Sequence, residues 1–339
     1  MVLLAIPHPY IITLIFAFVA TLVLVPFLIR KLGFAGFVGV DLNKVGRRFS
    51  KAEYEKLKRT GFRGMPTVPR SGGIAMVFGC CAAILLSLWL VPIQGIPLLL
   101  AGLLTVCLIS MIGIIEDFLP VSQLWRMLLP AFAALPLIFI GAGNPVLNFP
   151  FIGSVDFNGV YFLFLIPIGV MAASNLVNLL AGFNGLEAGV GAIVSASLLL
   201  IAYMNSRPEA AFLAAALFGV CAAFLIFNWY PAKIFPGNSA TYLIGGAVAA
   251  IVIIGNMERA GVIALMPQIV EFFLKARGRF KVETFGILQK DGTLKHEGPI
   301  RSLTHAAMRL HLTEPKITLL LLGVQAVFAV LAVLSVSIS

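Results

Sequence analysis

Apolar runs about as long as a bilayer crossing follow one another along almost the whole chain, and polar stretches separate them. A hydrocarbon core about 30 Å thick calls for roughly 20 apolar residues in a helix. Ten such spans are predicted, at 9–30, 72–91, 97–116, 124–141, 160–179, 187–204, 209–228, 240–256, 261–275 and 316–337. The ninth is short enough to tilt or to stop within the membrane. Only 11% of the 339 residues are charged and 60% are hydrophobic, against about 25% charged in soluble domains. The expected fold class is an all-α polytopic membrane protein, a single integral membrane domain over 1–339. The first run is long enough to span and shows no small-residue cleavage site, so it reads as a span rather than a signal peptide. Cys80, Cys81, Cys107 and Cys221 lie inside apolar runs without metal-ligand spacing and read as small buried hydrophobes.

Lysine and arginine set the orientation. The loop at 31–71 and the loop at 276–315 are both basic and have the same parity, as do Arg126 and Lys233; Arg207 and Arg259 fall on the opposite side. The odd loops therefore face the cytoplasm and both termini face out. This topology signal absorbs most of the net charge of +10 and leaves no reason to expect nucleic acid as a partner. In the first loop, Ser50-Lys-Ala-Glu53 is a capping box ahead of Tyr54 and Leu57, with Gly61 as the stop, which predicts a short surface helix resting on membrane lipid. In the last loop, Asp291-Gly292 between alternating runs predicts a small β-hairpin between the last two spans. Pro145–Gly159 reads as turns and short extended pieces on the outside. His296, His305 and His311 show no ligand spacing and read as surface residues, and His8 lies outside.

One stretch does not suit a plain span. Asn175-Leu-Val-Asn178-Leu-Leu-Ala-Gly182-Phe-Asn184-Gly185-Leu-Glu187-Ala-Gly189 joins the fifth and sixth spans. A polar group at membrane depth costs roughly 2–7 kcal/mol unless it is paired, and broken backbone there is tolerated only where it lines a cavity. Every other unusual polar cluster falls at an odd loop as well: Asp41-Leu42-Asn43-Lys44, Glu116-Asp117, Phe235-Pro-Gly-Asn238 and Arg277-Gly-Arg279. Carboxylate and amide oxygens suit Mg²⁺ bound alongside substrate phosphates. Arginine and lysine neutralise phosphoryl oxygens, and glycine turns let backbone N–H groups approach a ligand. Together the clusters suit phosphoryl transfer. Read singly they are weaker: Glu116 and Asp117 point in different directions on a helix, and Lys44, Arg277 and Arg279 are also ordinary positive-inside anchors.

These strings resemble the polyprenyl-phosphate N-acetylhexosamine-1-phosphate transferases, and within them the dolichyl-phosphate GlcNAc-1-phosphate transferases of eukaryotes and their archaeal relatives. The similarity runs from about Asp41 to Leu334 and takes in Gly113-Ile-Ile-Glu116-Asp117, Trp125-Arg126, Asn175 through Gly189, Asn228-Trp-Tyr-Pro231, Phe235-Pro-Gly-Asn238 and Met266-Pro-Gln268. The resemblance implies ten transmembrane helices, a cytoplasmic active site and transfer of a sugar-1-phosphate from UDP-GlcNAc or a related UDP-amino-sugar to a polyprenyl or dolichyl phosphate. UMP is released, and Mg²⁺ is the cofactor, with Mn²⁺ as a substitute. That is the first step of lipid-linked glycan synthesis, in N-glycosylation or the cell envelope, placed in an archaeal-like cell membrane or the ER membrane and compatible with a homodimer.

Carried over by motif, Asp117 is a catalytic carboxylate and candidate base toward the lipid phosphate, and Asn178 a metal ligand. Asn184 and Phe235 hold uracil, Leu42 and Gly182 line the nucleoside pocket, Glu187 belongs to the same substrate-binding string, and Arg277 and Arg279 grip the pyrophosphate and sugar. Lys44 matches a family lysine without a clear role. The sequence departs from the pattern where Asn238 stands for a metal-binding Asp, Glu116 for the first Asp of the pair, Pro120 for an Asn and Arg126 for a catalytic-site Lys. An amide is the weaker Mg²⁺ ligand, so the metal site loses affinity unless the longer Glu116 reaches in. A catalytically inert family member acting as a binding subunit is one alternative. A lipid-linked-sugar transporter is another, which would place polar clusters on both faces.

Overall fold

The structure, a computed structural model, describes residues 9–45, 53, 57, 62, 64–149 and 153–337. The capping box at Ser50 lies outside the described residues; within that predicted helix only Glu53 and Leu57 are described, and both are helical. The chain is mostly helical, with three two-stranded ladders and no closed sheet among the described residues. In chain order, α1 (Pro9–Phe34) is followed by β1 (Val38–Val40), a 3₁₀ turn over Leu42–Lys44, and β2 (Thr67–Pro69), which pairs antiparallel with β1. Then come α2 (Gly73–Leu90), α3 (Ile96–Phe118) and a broken segment, α4 (Gln123–Phe139). The antiparallel pair β3 (Val146–Phe149) and β4 (Gly153–Asp156) leads into α5 (Asn158–Leu179), α6 (Leu186–Met204), α7 (Pro208–Asn228) and α8 (Gly237–Gly255). The last third holds α9 (Glu258–Ala264), α10 (Met266–Arg277), β5 (Ile287–Leu288) paired with β6 (Leu294–Lys295), α11 (Leu303–Met308) and α12 (Glu314–Ser337).

Eight of these helices are long and apolar enough to cross a membrane. They correspond to eight of the ten predicted spans. The other two, 124–141 and 261–275, are broken into shorter pieces, and proline is the reason in both. Pro130 and Pro136 divide α4 into a helical turn, a 3₁₀ stretch and a second helical turn. Pro267 enforces a new start after Leu265, so α9 and α10 are separate helices. A proline removes a backbone donor and clashes with the preceding turn.

The bundle is layered around α8. Every residue from Ser239 to Gly255 is buried. The share of each span buried inside the protein falls from 83% for α8 and 72% for α6 and α7 to 22% for α1, which orders the helices from core to lipid-facing. Close packing on α8 uses glycine. Gly245 lies against the backbone at Ala173–Ser174 of α5, Gly246 against Ile109 of α3, and Gly113 of α3 against the backbone of Asn238 and Ser239. A side chain at any of these would meet those atoms at less than contact distance, so helix axes this near require small residues, as in membrane helix pairs generally. The approach at Gly113 matters most, because it seats the first turn of α8 on the end of α3, where the polar clusters gather.

Candidate active site

At one end of the bundle a cleft of about 220 Å³ opens between the 3₁₀ turn after β1, the loop joining α5 to α6, the turn that starts α8 and the segment before β5. Of the residues singled out in the sequence, Leu42, Asn178, Gly182, Asn184, Glu187, Phe235 and Asn238 line it. Glu116 and Asp117 stand directly behind Asn238. Lys44 and Arg126 are each one contact further away, and neither Arg277 nor Arg279 is part of the lining.

The start of α8 is fastened by Asp117. One carboxylate oxygen accepts from the Asn238 backbone N–H at 2.8 Å; the other accepts from the Ser239 backbone N–H at 3.2 Å and its hydroxyl at 2.8 Å. These are donors that the first turn of a helix leaves without intrahelical partners, so Asp117 is a tertiary cap whose charge also suits the helix N-terminus. Gly237 has φ +72°, and a Cβ there would collide with the Asp117 carboxylate; the turn needs glycine for both reasons. The Asp117 carbonyl accepts from the Arg70 guanidinium.

Glu116 turns the other way. Its carboxylate pairs with Arg126 Nε at 2.9 Å, accepts from the Tyr242 hydroxyl at 3.0 Å and from Asn238 Nδ2 at 3.3 Å. Its side chain is fully buried, whereas Arg126 is largely exposed. Because Asn238 donates to Glu116 through its nitrogen, its amide oxygen is the atom left for a ligand. Across the cleft, Asn178 Oδ1 accepts from Thr241 Oγ1 at 3.2 Å.

The other end of the cleft is built on the α5–α6 loop. Gly182 and Gly185 both adopt positive φ, which makes the tight reversal before α6. Glu187 Oε1 accepts from Gly182 N–H at 2.8 Å, while Oε2 is buried without a partner among the described residues. Asn184 is held from three sides. Its N–H donates to Glu314 Oε1 at 2.9 Å, its carbonyl accepts from Thr318 Oγ1 at 3.2 Å, and its side-chain amide donates to Asp41 Oδ2 at 3.2 Å. Lys44 pairs with the same Asp41 oxygen at 2.9 Å and lies over the Tyr230 ring at 5.2 Å. It therefore neutralises Asp41 at the edge of the cleft.

Arg277 ends α10, Arg279 follows it, and both are exposed. No side-chain hydrogen bond or ion pair among the described residues involves either one. Their neighbours are fixed: Lys275 pairs with Glu271 at 3.4 Å and donates to the Leu179 carbonyl, and Glu271 accepts from Ser302 Oγ at 2.8 Å and Leu303 N–H at 2.7 Å. The histidines depart from the sequence expectation. His305 and His296 are buried and stack with centroids 3.5 Å apart, and only His311 is exposed. The reason is the fold of the last loop: His305 shares a hydrogen bond of 2.8 Å with the Glu283 carbonyl, and this brings it under the segment before β5. At the tip of the β5–β6 ladder, Thr293 donates twice to Asp291, and those bonds hold its carboxyl below the usual range.

Sequence reasoning missed Tyr242, Glu314, Thr318, Glu271, Lys275 and Phe285. Glu314 alone carried a signal, as an acidic residue opening an apolar helix, and that signal also reads as a plain helix start.

Chemically, the cleft combines a half-buried aromatic ring at Phe235 and amide groups at both ends; around Asn178 and Asn238 the carboxylates of Glu116 and Asp117 are already engaged, while Glu187 Oε2 is unpartnered among the described residues. The other donors there are neutral: two amide oxygens and the Thr241 hydroxyl. Mg²⁺ usually takes one or two carboxylates plus substrate phosphates. This donor set therefore fits a cation shared with a phosphate ligand. Among the described residues no group of three or more His, Cys, Asp or Glu is placed to hold a metal.

Membrane-length helices closing over a polar, phosphate-suited cleft at one end define the class, an integral membrane protein with its site at the end of the bundle. The chain belongs to glycosyl transferase family 4, whose model matches residues 99–256. It is 35% identical to a Saccharolobus solfataricus protein provisionally named UDP-N-acetylglucosamine–dolichyl-phosphate N-acetylglucosaminephosphotransferase, over 98% of this chain and 97% of that one. A Dictyostelium discoideum protein of the same name is 27% identical over 70% of this chain and 64% of its own length. A phospho-N-acetylmuramoyl-pentapeptide-transferase of Halalkalibacterium halodurans is 29% identical over 80% and 85%.

Proposed function

We propose that this protein transfers GlcNAc-1-phosphate, or a related amino-sugar 1-phosphate, from a UDP-sugar to a polyprenyl or dolichyl phosphate and releases UMP. The observation that carries the proposal is the convergence of Asn178 and Asn184, from the end of α5 and the loop that follows it, with Phe235 and Asn238, from the turn that starts α8, on one cleft at the end of a membrane bundle. The relatives' names supply the substrates. In this reading Phe235, Asn184, Leu42 and Gly182 receive the uridine, and the diphosphate lies toward Asn178, Asn238 and Thr241. Arg277 and Arg279, exposed and with no side-chain partner among the described residues, reach onto the diphosphate and sugar in this reading. Mg²⁺ or Mn²⁺ bound with the diphosphate would neutralise its charge, held by the Asn178 and Asn238 oxygens. An oxygen of the lipid phosphate attacks the β-phosphorus, the bond from that phosphorus to the oxygen bridging to the α-phosphate breaks, and UMP leaves with that oxygen. Both oxygens of Asp117 are engaged by α8, so we assign it to holding Asn238 in place rather than to proton transfer.

In the same reading the two broken segments bring the crossings to ten, and the basic loops at 31–71 and 276–315 put the cleft on the cytoplasmic face with both termini outside. The β5–β6 ladder then covers the cytoplasmic end. The test is UMP release by purified protein given UDP-GlcNAc, a short polyprenyl phosphate and Mg²⁺, with lipid-linked product identified by mass. Binding of UDP-GlcNAc without turnover would favour an inert binding subunit, and absence of both would end the proposal.

A further inference from the structure

We propose that Phe285 is a nucleotide-binding residue, an aromatic wall that packs with Phe235 on the planar base of a uridine nucleotide. The inference rests on the donor reading of the cleft. Phe285 lines the cleft and its ring is half-buried. The residues on either side of it are pinned. Thr284 Oγ1 donates to the Ala181 carbonyl at 3.1 Å, and Gly286 N–H donates to Asn43 Oδ1 at 3.2 Å. Asn43 in turn donates to the Gly182 carbonyl at 3.1 Å, and the Thr284 carbonyl accepts from Thr304 Oγ1 at 3.0 Å. The backbone at 284–286 is thus tied to the same loop that carries Gly182 and Asn184.

The ring edge sits over Gly182. A Cβ on Gly182 would lie 2.9 Å from Phe285 Cε1 and 3.2 Å from Cζ. Gly182, with φ +105°, therefore both makes the turn and leaves room for this ring. An aromatic side chain held on both flanks, partly open and bordering a polar cleft presents a preformed apolar face. Aromatic rings in such settings stack on bases, and they do so at little ordering cost when already fixed. The neighbouring lining residues, Leu42, Asn184 and Phe235, are the ones the base would meet, so the base is the part of the ligand within reach.

The test uses full-length protein in detergent and measures binding of UMP and of UDP-GlcNAc by calorimetry, with Phe235→Ala as reference. Phe285→Ala is expected to weaken both ligands roughly tenfold, and Phe285→Tyr to stay within about twofold of the parent. Phe285→Leu, which keeps apolar volume without a ring, is expected to fall with the alanine variant, and it carries the test should Phe285→Ala not fold. Unchanged UMP affinity in the ringless variants would overturn the proposal. So would a loss confined to UDP-GlcNAc, which would place the ring on the sugar. If the parent binds neither ligand, the donor reading itself fails. If Phe235→Ala loses affinity and Phe285→Ala and Phe285→Leu do not, only this proposal falls.

Discussion

The floor of the cleft and the end of α10 use charge in opposite ways. On the floor, carboxylates hold backbone: Asp117 takes the first N–H groups of α8, Glu187 takes Gly182, and Glu314 takes Asn184. Glu271 does the same for the first turn of α11. Each is buried, and each grips an amide from an element distant in sequence or across a tight turn. Outside the lining, at the end of α10, Arg277 and Arg279 are exposed, and their side chains hold nothing among the described residues. Most acidic residues here act as fasteners, and apart from Glu187 Oε2 the groups left to meet a ligand in the cleft are amides and aromatic rings, with exposed cations at the end of α10. This division suits a ligand that brings its own negative charge, because a free carboxylate facing the diphosphate would repel it. Substituting a fastener should lower stability and activity together, whereas substituting one of these cations should change binding alone.

The largest effect is expected at Asp117. Asp117→Ala leaves two backbone N–H groups without their acceptor in a buried setting and removes the shorter of the Ser239 hydroxyl's two bonds. Hydrogen bonds to a charged group contribute about 1.5–3 kcal/mol each, and the losses overlap. The expected cost is about 3 kcal/mol of stability, read as a lowered thermal midpoint in detergent, with activity lost as well. Asp117→Glu should recover little, because Gly237 already touches the carboxylate. A fully stable Asp117→Ala protein that binds UDP-GlcNAc but does not turn over would make Asp117 a reacting group and break the comparison.

Glu314 comes next. It receives the buried backbone N–H of Asn184, and an unsatisfied buried donor costs about 1–3 kcal/mol. Glu314→Ala should lower the midpoint by less than Asp117→Ala and should weaken UMP binding, since Asn184 loses its anchor. Glu314→Gln keeps an acceptor oxygen and should restore both. Equal defects in the two variants would mean that the charge matters rather than the hydrogen bond.

Much of this was legible in the sequence. The apolar runs located the eight long helices, because span length is set by the bilayer and not by tertiary context. The prolines that break α4 and separate α9 from α10 were visible, yet the loss of continuous helix was not, because a proline inside a run either kinks a helix or ends it. Asn178, Asn184, Phe235 and Asn238 stood out as polar or glycine-flanked positions in apolar surroundings. The fasteners did not. Glu314 reaches Asn184 across 130 positions and Tyr242 reaches Glu116 across 126, and no local pattern encodes a partner at that distance. His296 and His305 were misread for the same reason: their burial follows from the packing of the last loop and not from their neighbours in sequence.

A smaller effect is expected where the two uses of charge meet, at Asn238. Its amide donates to Glu116 at 3.3 Å, and the resembling transferases carry Asp there. Asn238→Asp adds a charge on the ligand side but also sets a second carboxylate against Glu116, which Arg126 already neutralises. The single variant should therefore shift the half-saturating Mg²⁺ concentration only slightly. Combined with Glu116→Gln it should lower it roughly tenfold, the scale of one nearby unit charge on an ionic equilibrium. Direct Mn²⁺ binding to the nucleotide-loaded protein reads the same shift without turnover. A large shift in the single variant alone would mean that Glu116 does not constrain position 238.

The smallest effect on the folded protein is expected at Arg279, and its sign decides the matter. Arg279 has φ +52° and the next residue, Phe280, φ +55°. Left-handed backbone at a non-glycine residue costs on the order of 1 kcal/mol, and glycine adopts it without that penalty. The strain is offset only partly by its flanking backbone bond, Arg279 N–H to the Ala276 carbonyl at 2.8 Å, because glycine would make the same bond. Nothing the side chain touches among the described residues accounts for an arginine here. In the proposed function, this strained, exposed residue, whose side chain has no partner among the described residues, meets the ligand. Arg279→Gly should therefore leave the thermal midpoint of the unliganded protein unchanged or raise it, by at most about 1 kcal/mol of stability. The same variant should weaken UDP-GlcNAc binding about fivefold, the upper end for an exposed ion pair, and leave UMP binding nearly as it was. A fall in the midpoint with unchanged binding would make Arg279 a fastener like those on the floor, and the contrast between the floor and the end of α10 would not hold.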